Sequence, residues 1–230
     1  MKIAFFNWST GKDSALALYY MLQNNAFKVN KLITTISKET EAVTMHSVPK
    51  DVLLNQVKSI GIPLDVIEIP TDIDMQTYSA IMKEKLNTLK QMGYQYSIFG
   101  DIFLEDLQQY RIKKLNEIGL KAHFPLWKKD SHQLVNQFFS LGFKAVVVSV
   151  NANILDDSFV GVDFNEEFIN RLPSNVDVCG ENGEFHTFVY NGPIFKNPIP
   201  FKITSKVLKT HKSTSKSNWD TKFWYCSLTA

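Results

Sequence analysis

Short apolar runs alternate with amphipathic stretches through the first two-thirds of this chain, and this alternation limits the fold more than any other feature. Runs rich in Val, Ile, Thr and aromatic residues predict strands, and helical-period stretches that mostly stop at Gly predict helices. The predicted strands are Lys2–Phe6, Val29–Ile36, Asp65–Ile69 and Tyr94–Phe99, and the predicted helices are Ser14–Gln23, Val48–Ile60, Asp74–Met92 and Leu104–Ile118. Because strands separated by helices pair in parallel, this order predicts an α/β fold with a doubly wound, mostly parallel sheet.

The pattern changes in the second half of the chain. Further strands are predicted at His123–Trp127, Lys144–Val150, Glu184–Tyr190, Phe201–Leu208 and Phe223–Ser227, and further helices at Ser131–Leu141 and Asn165–Leu172. Glu184–Tyr190 and Phe201–Leu208 alternate like antiparallel strands, and the polar run Lys209–Asp220 predicts a loop. We therefore predict a larger lobe over residues 1–120 and a smaller C-terminal α+β lobe over residues 121–230.

Composition excludes several classes of protein. With 44% hydrophobic residues the chain of 230 residues can bury a core, which excludes a disordered or fibrous protein. The net charge of +2 makes nucleic acid an unlikely partner. An apolar run of about 18 residues is absent, so no membrane span is predicted. Cys179 and Cys226 do not form a CxxC motif, so we expect the protein to work in the reducing cytoplasm. The sequence is also compatible with a homo-oligomer.

The segment between the first predicted strand and the first predicted helix has the composition of an anion-binding loop. It lies at the carboxyl end of a parallel strand, where open α/β sheets place their ligands. Gly11 permits close approach of the backbone, Lys12 supplies positive charge, and Ser9 and Ser14 supply hydroxyl groups. Asp13 would repel a bare phosphate, which suggests that it holds Mg²⁺ or orders the loop. An ordinary N-cap turn is the alternative.

Two common phosphate loops are excluded by spacing. A Walker A loop requires Ser or Thr after its Lys and a Gly six residues before it. Here Asp13 follows Lys12 and Phe6 occupies the position of that Gly, with Asn7 beside it. The chain also lacks a GxGxxG motif, so a Rossmann dinucleotide site is not predicted.

A second group of candidate residues follows the fourth predicted strand. Asp101 comes directly after Gly100, at the ligand-binding edge of the sheet, where a carboxylate can hold Mg²⁺ or contact a substrate amine. Glu105 begins the next helix, where the helix dipole alone also favours an acid. Arg111, beside Tyr110, has the geometry to bind a carboxylate or phosphate, although an exposed helix Arg is the alternative.

The run Gly180–Thr187 combines acids, an amide, a histidine and two glycines ahead of a predicted strand. Period-two alternation would place Glu184 and His186 on one side of that strand. A carboxylate there would attract ammonium and accept a proton, and a histidine is suited to proton transfer near neutral pH. A plain turn is the alternative explanation.

The first loop resembles a known motif. Ser9-Thr10-Gly11-Lys12-Asp13-Ser14 looks like the SGGxDS pyrophosphate loop of the PP-loop ATP pyrophosphatases, which have an adenine nucleotide alpha hydrolase-like fold. One position departs from that pattern, because Thr10 replaces the usual first glycine.

Other segments resemble the diphthine–ammonia ligase family within that superfamily. Gly100–Leu107 with Tyr110-Arg111 looks like its GDI…YR stretch, and Cys179–Thr187 matches its GE(N)GEFHT signature. Met45-His46 and Phe124–Trp127 also fall where the family has similar residues. The resemblance extends over about Met1–Pro198.

The resemblance implies an ATP-dependent ligase that forms an adenylate on a substrate carboxylate, releases pyrophosphate and transfers ammonia. ATP and Mg²⁺ are the implied cofactors, with Asp13 as the metal ligand. The implied catalytic residues are Lys12, Asp13, Glu184 and His186. The implied nucleotide-binding residues are Ser9, Thr10, Gly11, Lys12, Asp13, Ser14, Thr35, His46 and Gly100. The implied substrate-binding residues are Asp101, Glu105, Tyr110, Arg111, Glu181, Asn182 and Glu184.

Free ammonium is the expected nitrogen donor, because neither cysteine lies in a nucleophile setting. The carboxylate acceptor is either protein-bound diphthine or a small molecule. A nucleotide-binding sensor without turnover is an alternative of another class. A PP-loop enzyme that acts on RNA is disfavoured by the net charge, since Lys209–Lys216 is the one local basic stretch.

Overall fold

A computed structural model describes residues 1–71, 73–211 and 221–230 of the chain. The first lobe contains six strands and four helices in alternation. In chain order they are β1 (Lys2–Asn7), α1 (Lys12–Gln23), β2 (Phe27–Ser37), β3 (Ala42–Val43), α2 (Lys50–Ile60), β4 (Leu64–Ile69), α3 (Met75–Gln91), β5 (Tyr96–Ile98), α4 (Glu105–Glu117) and β6 (Lys121–His123). The predicted alternation is therefore confirmed, with boundaries that differ by a few residues.

The first sheet is parallel except for one short strand. β1 pairs with β2 on one side and β5 on the other, β6 continues beyond β5, and β4 pairs with the outer side of β2. The sequence pattern did not predict β3, which adds a two-residue antiparallel pairing at the end of β2. The direction of winding reverses between β1 and β5, and in open α/β sheets such a switch point opens a crevice at the carboxyl ends of the strands.

Alternating side chains of β1 separate the two faces of this sheet. Ala4 and Phe6 join the core cluster that contains Leu16 of α1 and Leu53 of α2. Phe5, between them, joins a second cluster formed with α3 and α4. Because consecutive side chains of a strand point to opposite faces, helices cover both faces. The doubly wound α/β fold is confirmed.

The second lobe is an antiparallel sheet with two short helices. Its elements are α5 (Ser131–Ser140), β7 (Lys144–Asn151), a 3-10 turn (Asp157–Phe159), α6 (Glu166–Arg171), β8 (Phe185–Asn191), β9 (Lys202–His211) and β10 (Thr221–Thr229). The strand order is β8-β7-β10-β9. Both faces of β7 are buried, which explains its unbroken apolar run even though its neighbours are antiparallel. β8 lies at one edge of the sheet.

Three local expectations change. The strand predicted at His123–Trp127 lies earlier, as β6, and residues 125–128 form a turn. Lys209–His211, predicted as part of a loop, continue β9, and residues 212–220 lie outside the described part of the chain. The longest described helix, α3, has 17 residues, and no helix among the described residues is long and apolar enough to cross a membrane. The lobe boundary at residue 120 stays a prediction.

Candidate functional site

A cleft of about 980 Å³ opens at the switch point between β1 and β5. This volume lies within the range typical of small-molecule sites. Both lobes line the cleft: residues of the first loop and of the β5 end face residues 180–183 and 185–187 of the second lobe. The Asn7 amide fixes the two strand ends together, because its Nδ2 donates at 2.8 Å to both Ser97 Oγ and the Ile98 carbonyl.

Helix α1 begins inside this cleft at an N-cap residue that supplies no capping side chain, although Thr187 Oγ1 accepts the Lys12 N–H at 3.0 Å. Gly11 is this N-cap residue, while Ser9 Oγ donates to Ser14 Oγ at 3.0 Å. The free N–H groups of a first turn attract anions, and the helix dipole adds to this attraction. A Cβ at Gly11 would lie 2.6 Å from His46 Cε1 and 3.2 Å from the Thr187 carbonyl oxygen. Close packing against the second lobe therefore requires glycine at this position.

Thr10 has a left-handed backbone with φ of +74°. This is the position where the resemblance leads one to expect glycine, and such a φ is rare for a β-branched residue. Thr10 is fully buried, and its carbonyl accepts hydrogen bonds from Gln56 Nε2 at 3.1 Å and from the Val189 N–H at 3.0 Å. Its Oγ1 has no hydrogen-bond partner among the residues that the structure describes. The surrounding contacts hold this strained conformation in place.

We expect Thr10→Gly to raise the free energy of unfolding by about 1 kcal/mol. The left-handed backbone costs a non-glycine residue roughly 1–2 kcal/mol, and the greater freedom of glycine in the unfolded chain offsets about 0.5–1 kcal/mol of the gain. Urea unfolding of the wild type, Thr10→Gly and Thr10→Ala measures the effect. The alanine variant also lacks the unpaired hydroxyl but keeps the positive φ. A glycine variant less stable than the alanine variant would therefore contradict the assignment of backbone strain to residue 10.

Lys12 and Asp13 form a charge pair at the start of α1. Lys12 is 4% exposed, and its Nζ lies 2.8 and 2.7 Å from the two carboxylate oxygens of Asp13. It also donates to the Cys179 carbonyl of the second lobe. Burial lowers the pKa of Lys12, but Asp13 together with Cys179 and Glu181 outweighs that effect and the net pKa is raised, so the ammonium is retained. Burial raises the pKa of Asp13, and Lys12 opposes this rise.

The predicted magnesium ligand does not fit a resident metal site. Both carboxylate oxygens of Asp13 are within hydrogen-bond distance of the Lys12 ammonium. Across residues 1–71, 73–211 and 221–230, no group of three or more His, Cys, Asp or Glu side chains is arranged to hold a metal ion. Resident magnesium would need carboxylate oxygens free of a competing cation.

Two histidines from different lobes meet beside the first loop. The ring centroids of His46 and His186 are 4.7 Å apart, and His46 Nδ1 lies 3.0 Å from the Thr187 carbonyl oxygen. Burial lowers the pKa of His46 to about 4, although the Thr187 carbonyl opposes this change. Burial, followed by His46 and Lys12, lowers the pKa of His186 well below its usual value. Both imidazoles are therefore neutral at pH 7.

Acidic groups also line the cleft. Asp101 Oδ2 lies 2.9 Å from Arg111 Nε, and the Arg111 guanidinium stacks 4.3 Å from the centre of the Phe99 ring. Burial raises the pKa of Asp101, and Arg111 opposes that rise. Glu181 Oε1 accepts the Ile102 N–H at 2.7 Å, and burial raises the pKa of Glu181 to about 7. Arg111 is thus neutralised by Asp101, so it would have to exchange this partner to bind a substrate anion.

Most of the predicted site residues line this cleft. They are Ser9, Lys12, Asp13, Ser14, Thr35, His46, Gly100, Asp101, Tyr110, Arg111, Glu181, Asn182 and His186. Thr10 and Gly11 belong to the same loop but are not among the residues that line the cleft. At Gly100 a Cβ would approach the backbone of Asp13 and Ser14 to 3.1 Å, so the end of β5 packs directly on the first turn of α1.

Glu105 and Glu184, both predicted to bind substrate, are not among the residues that line the cleft. Glu105 is exposed and lies 3.0 Å from Lys128 Nζ, as the helix-start alternative predicts. Glu184 is 3% exposed, and its Oε1 accepts hydrogen bonds from the Asp177 N–H at 3.1 Å and from Asn182 Nδ2 at 3.0 Å. It precedes β8, so strand alternation does not apply to it. In this structure its carboxylate stabilises the turn instead.

Sequence reasoning missed several residues of the cleft. Tyr78 and Met82 of α3, and Thr44 after β3, line it. Burial raises the pKa of Tyr78, and the positive charge of Arg111 opposes that rise. The sequence showed only an amphipathic helix at α3, and an apolar helical period does not distinguish a face that lines a cleft from one that packs in the core.

The fold and the site together define a doubly wound α/β protein whose anion-accepting helix start opens into a cleft between two lobes. The sequence profile described as "Diphthamide synthase N-terminal domain" matches residues 1–122, and that described as "Diphthamide synthase C-terminal domain" matches residues 130–228. The chain belongs to the diphthine–ammonia ligase family.

Curated relatives agree with this assignment. The diphthine–ammonia ligase of Bos taurus is 29% identical over 136 residues, which cover 56% of this chain and 50% of the bovine protein. That of Homo sapiens is 30% identical over 122 residues, which cover 50% of this chain and 46% of the human protein. The chain thus spans about half the length of these relatives. A solved U34-tRNA thiolase from Methanococcus maripaludis aligns with 61% of this chain and 56% of that chain at 17% identity, with a TM-score of only 0.39.

Proposed function

We propose that this chain is an ATP-dependent amide ligase that activates a carboxylate as its adenylate and then transfers ammonia to it. One observation supports the proposal above the others. The start of α1, whose N-cap residue supplies no capping side chain, and the buried Lys12 ammonium lie together in a cleft to which both family domains contribute residues. Such a site suits a polyanion that is held and released during the reaction.

The phosphates of ATP would occupy the first loop in this proposal. First-turn N–H groups of α1, the hydroxyls of Ser9 and Ser14 and the ammonium of Lys12 would contact them. The adenosine would extend toward Thr35 at the end of β2, whose hydroxyl lies 2.7 Å from Thr44 Oγ1. His46 packs over Gly11 and would keep the loop closely apposed to the second lobe.

The proposed chemistry has two steps. A carboxylate oxygen of the acceptor attacks the α-phosphorus of ATP, the bond between the α-phosphorus and its bridging oxygen breaks, and pyrophosphate leaves. Ammonia then attacks the acyl carbon, AMP leaves and an amide forms. The chain contributes positioning and fixed charge, which supply much of the acceleration in reactions of this kind.

The residues around the cleft suit the second step. The carboxyl groups of Asp101 and Glu181 would attract ammonium in the cleft when they are ionised, Asp101 once Arg111 has exchanged it for a substrate anion. The low pKa of His186 keeps its imidazole neutral, so it accepts a hydrogen bond without repelling the incoming cation. The acceptor is a carboxylate, either that of protein-bound diphthine, which the names of the relatives indicate, or that of a small molecule. We place this reaction in the cytoplasm.

Product analysis tests the proposal. The purified chain is incubated with MgATP, ¹⁵N-ammonium and either a diphthine-bearing protein or a set of small carboxylic acids. We expect AMP and pyrophosphate in equal amounts, and ¹⁵N in the acceptor as an amide. ATP binding without either product would instead identify a nucleotide sensor, and ADP formation would contradict the adenylate mechanism.

A further inference from the structure

Gln56 is a fully buried polar residue of α2 that connects the two lobes at the first loop. Its Oε1 accepts the Trp8 Nε1–H at 2.8 Å. Its Nε2 donates to the Thr10 carbonyl at 3.1 Å and to the Val189 carbonyl at 2.7 Å. The side chain is not among those that line the cleft, so any effect it has on a ligand passes through these three partners.

The first loop also lies along the edge of the second sheet. β8 is an edge strand, and Thr187 and Val189 are two residues apart on it, so they present their backbone groups to the same neighbour. The Val189 N–H donates to the Thr10 carbonyl at 3.0 Å, and Thr187 Oγ1 accepts the Lys12 N–H at 3.0 Å. The loop thus packs along the outer edge of β8, joined to it by one backbone hydrogen bond and one hydrogen bond to a side-chain hydroxyl.

These contacts hold a conformation that the loop would not keep by itself. Thr10 has a positive φ, which is unfavourable for a threonine, and its carbonyl is the one point where Gln56 and Val189 both bind. Strained backbone persists only where neighbouring contacts determine it. Removing one of those contacts allows Thr10 to relax and turns the N–H groups of the loop away from the cleft.

We propose that Gln56 is a positioning residue that fixes the first loop on the edge of β8. Through this contact the second lobe determines how tightly the first loop binds an anion. The inference rests on the proposed function only for the identity of the anion. It assigns Thr187, part of the Gly180–Thr187 run, to holding the phosphate loop, a role separate from contact with the acceptor.

Binding measurements with Gln56→Met test this role. Methionine keeps the approximate volume but cannot hydrogen-bond to Trp8, Thr10 or Val189. Calorimetric titration is performed with inorganic pyrophosphate, MgATP and AMP. We expect affinity for pyrophosphate and MgATP to fall by about 10- to 100-fold, because the three buried hydrogen bonds that hold the loop are lost, and affinity for AMP to change by less than about twofold.

Leu53→Ala is the matched control. Leu53 is fully buried in the same helix, and its truncation leaves a cavity in the core beneath α2 without touching the loop. We expect this variant to melt at a lower temperature and to bind pyrophosphate within about twofold of the wild type. Equal pyrophosphate affinity of Gln56→Met and Leu53→Ala would overturn the inference, because Gln56 would then act through stability alone.

A second pair of variants keeps the test informative if Gln56→Met does not fold. Thr187→Val removes the hydroxyl that accepts the Lys12 N–H, whereas Thr187→Ser retains it. We expect a loss of pyrophosphate affinity of about 5- to 15-fold for valine and recovery for serine. Equal affinity of the two variants would contradict the role of β8. A wild type that binds neither pyrophosphate nor MgATP would refute the proposed function itself, which separates the two failures.

Discussion

Replacing Lys12 with methionine is expected to slow ATP-dependent pyrophosphate release by about 10²- to 10³-fold, which is the usual effect of removing one preorganised charge from a site of transition-state stabilisation. Methionine preserves most of the buried stem, so the packing around α1 is retained. Pyrophosphate release is followed under saturating acceptor and ammonium. Release at the wild-type rate would remove Lys12 from the mechanism.

A variant of Asp13, the charge partner of Lys12, separates the effect of the Lys12 charge on catalysis from the effect of the charge pair on stability. Asp13→Asn is expected to lower the free energy of unfolding by about 3–5 kcal/mol, because it leaves a buried ammonium without its counter-ion. The Lys12 side chain is only 5% exposed, whereas that of Asp13 is 31% exposed. Water can therefore solvate Asp13 after Lys12→Met, but it cannot solvate Lys12 after Asp13→Asn. Simple alanine replacement of either residue would mix loss of catalysis with loss of fold.

Urea unfolding of both single variants and the double variant checks this asymmetry. The double variant Lys12→Met/Asp13→Asn contains neither charge, so we expect it to recover much of the stability that Asp13→Asn loses. Lys12→Met that is as unstable as Asp13→Asn would contradict the burial argument. The activity of the double variant should remain as low as that of Lys12→Met, since the missing ammonium is common to both.

The fold of the first lobe could be predicted from the sequence because apolar residues recur with different periods in its strands and in its helices. It did not show β3, whose two residues are too few to display any period. It also did not reveal the direction of β7, since a strand buried on both faces reads as an unbroken apolar run whether its neighbours are parallel or antiparallel. Pairing partners depend on tertiary contacts that no local pattern records.

The parts of the site whose residue types indicate their chemistry could be predicted from the sequence, and the other parts could not. The first loop stood out because glycine, lysine and hydroxyl residues follow a strand. Glu184 was assigned to the strand, but the turn extends one residue further and β8 begins at Phe185, so its carboxylate bonds to the turn. Gln56 gave no signal, because a lone amide in an amphipathic helix looks like a surface residue. Its importance depends on three partners that are distant in sequence.

Glu181→Gln is expected to raise the free energy of unfolding by about 2–3 kcal/mol at pH 8 and to have little effect at pH 4.5. Burial raises the pKa of Glu181 from 4.5 to about 7 in the folded chain. Between these values the folded chain binds a proton that the unfolded chain has lost, so stability falls as pH rises. Glutamine removes the titration and still offers an acceptor to the Ile102 N–H, which Glu181 Oε1 meets at 2.7 Å.

The wild type alone would conceal this effect, because His46 acts in the opposite direction over nearly the same interval. Its pKa falls from 6.5 to about 4 on folding, so it contributes stability that is present above pH 6.5 and lost as pH falls toward 4. Only the difference between wild type and Glu181→Gln isolates the carboxyl group. Glu105→Gln, which removes an exposed carboxylate, serves as the control and should change stability by less than about 0.5 kcal/mol. A Glu181→Gln variant that is less stable than the wild type at pH 8 would contradict this prediction, because folding would then not raise the pKa of Glu181 and its carboxylate, stabilised by Lys12, would be ionised throughout the neutral range.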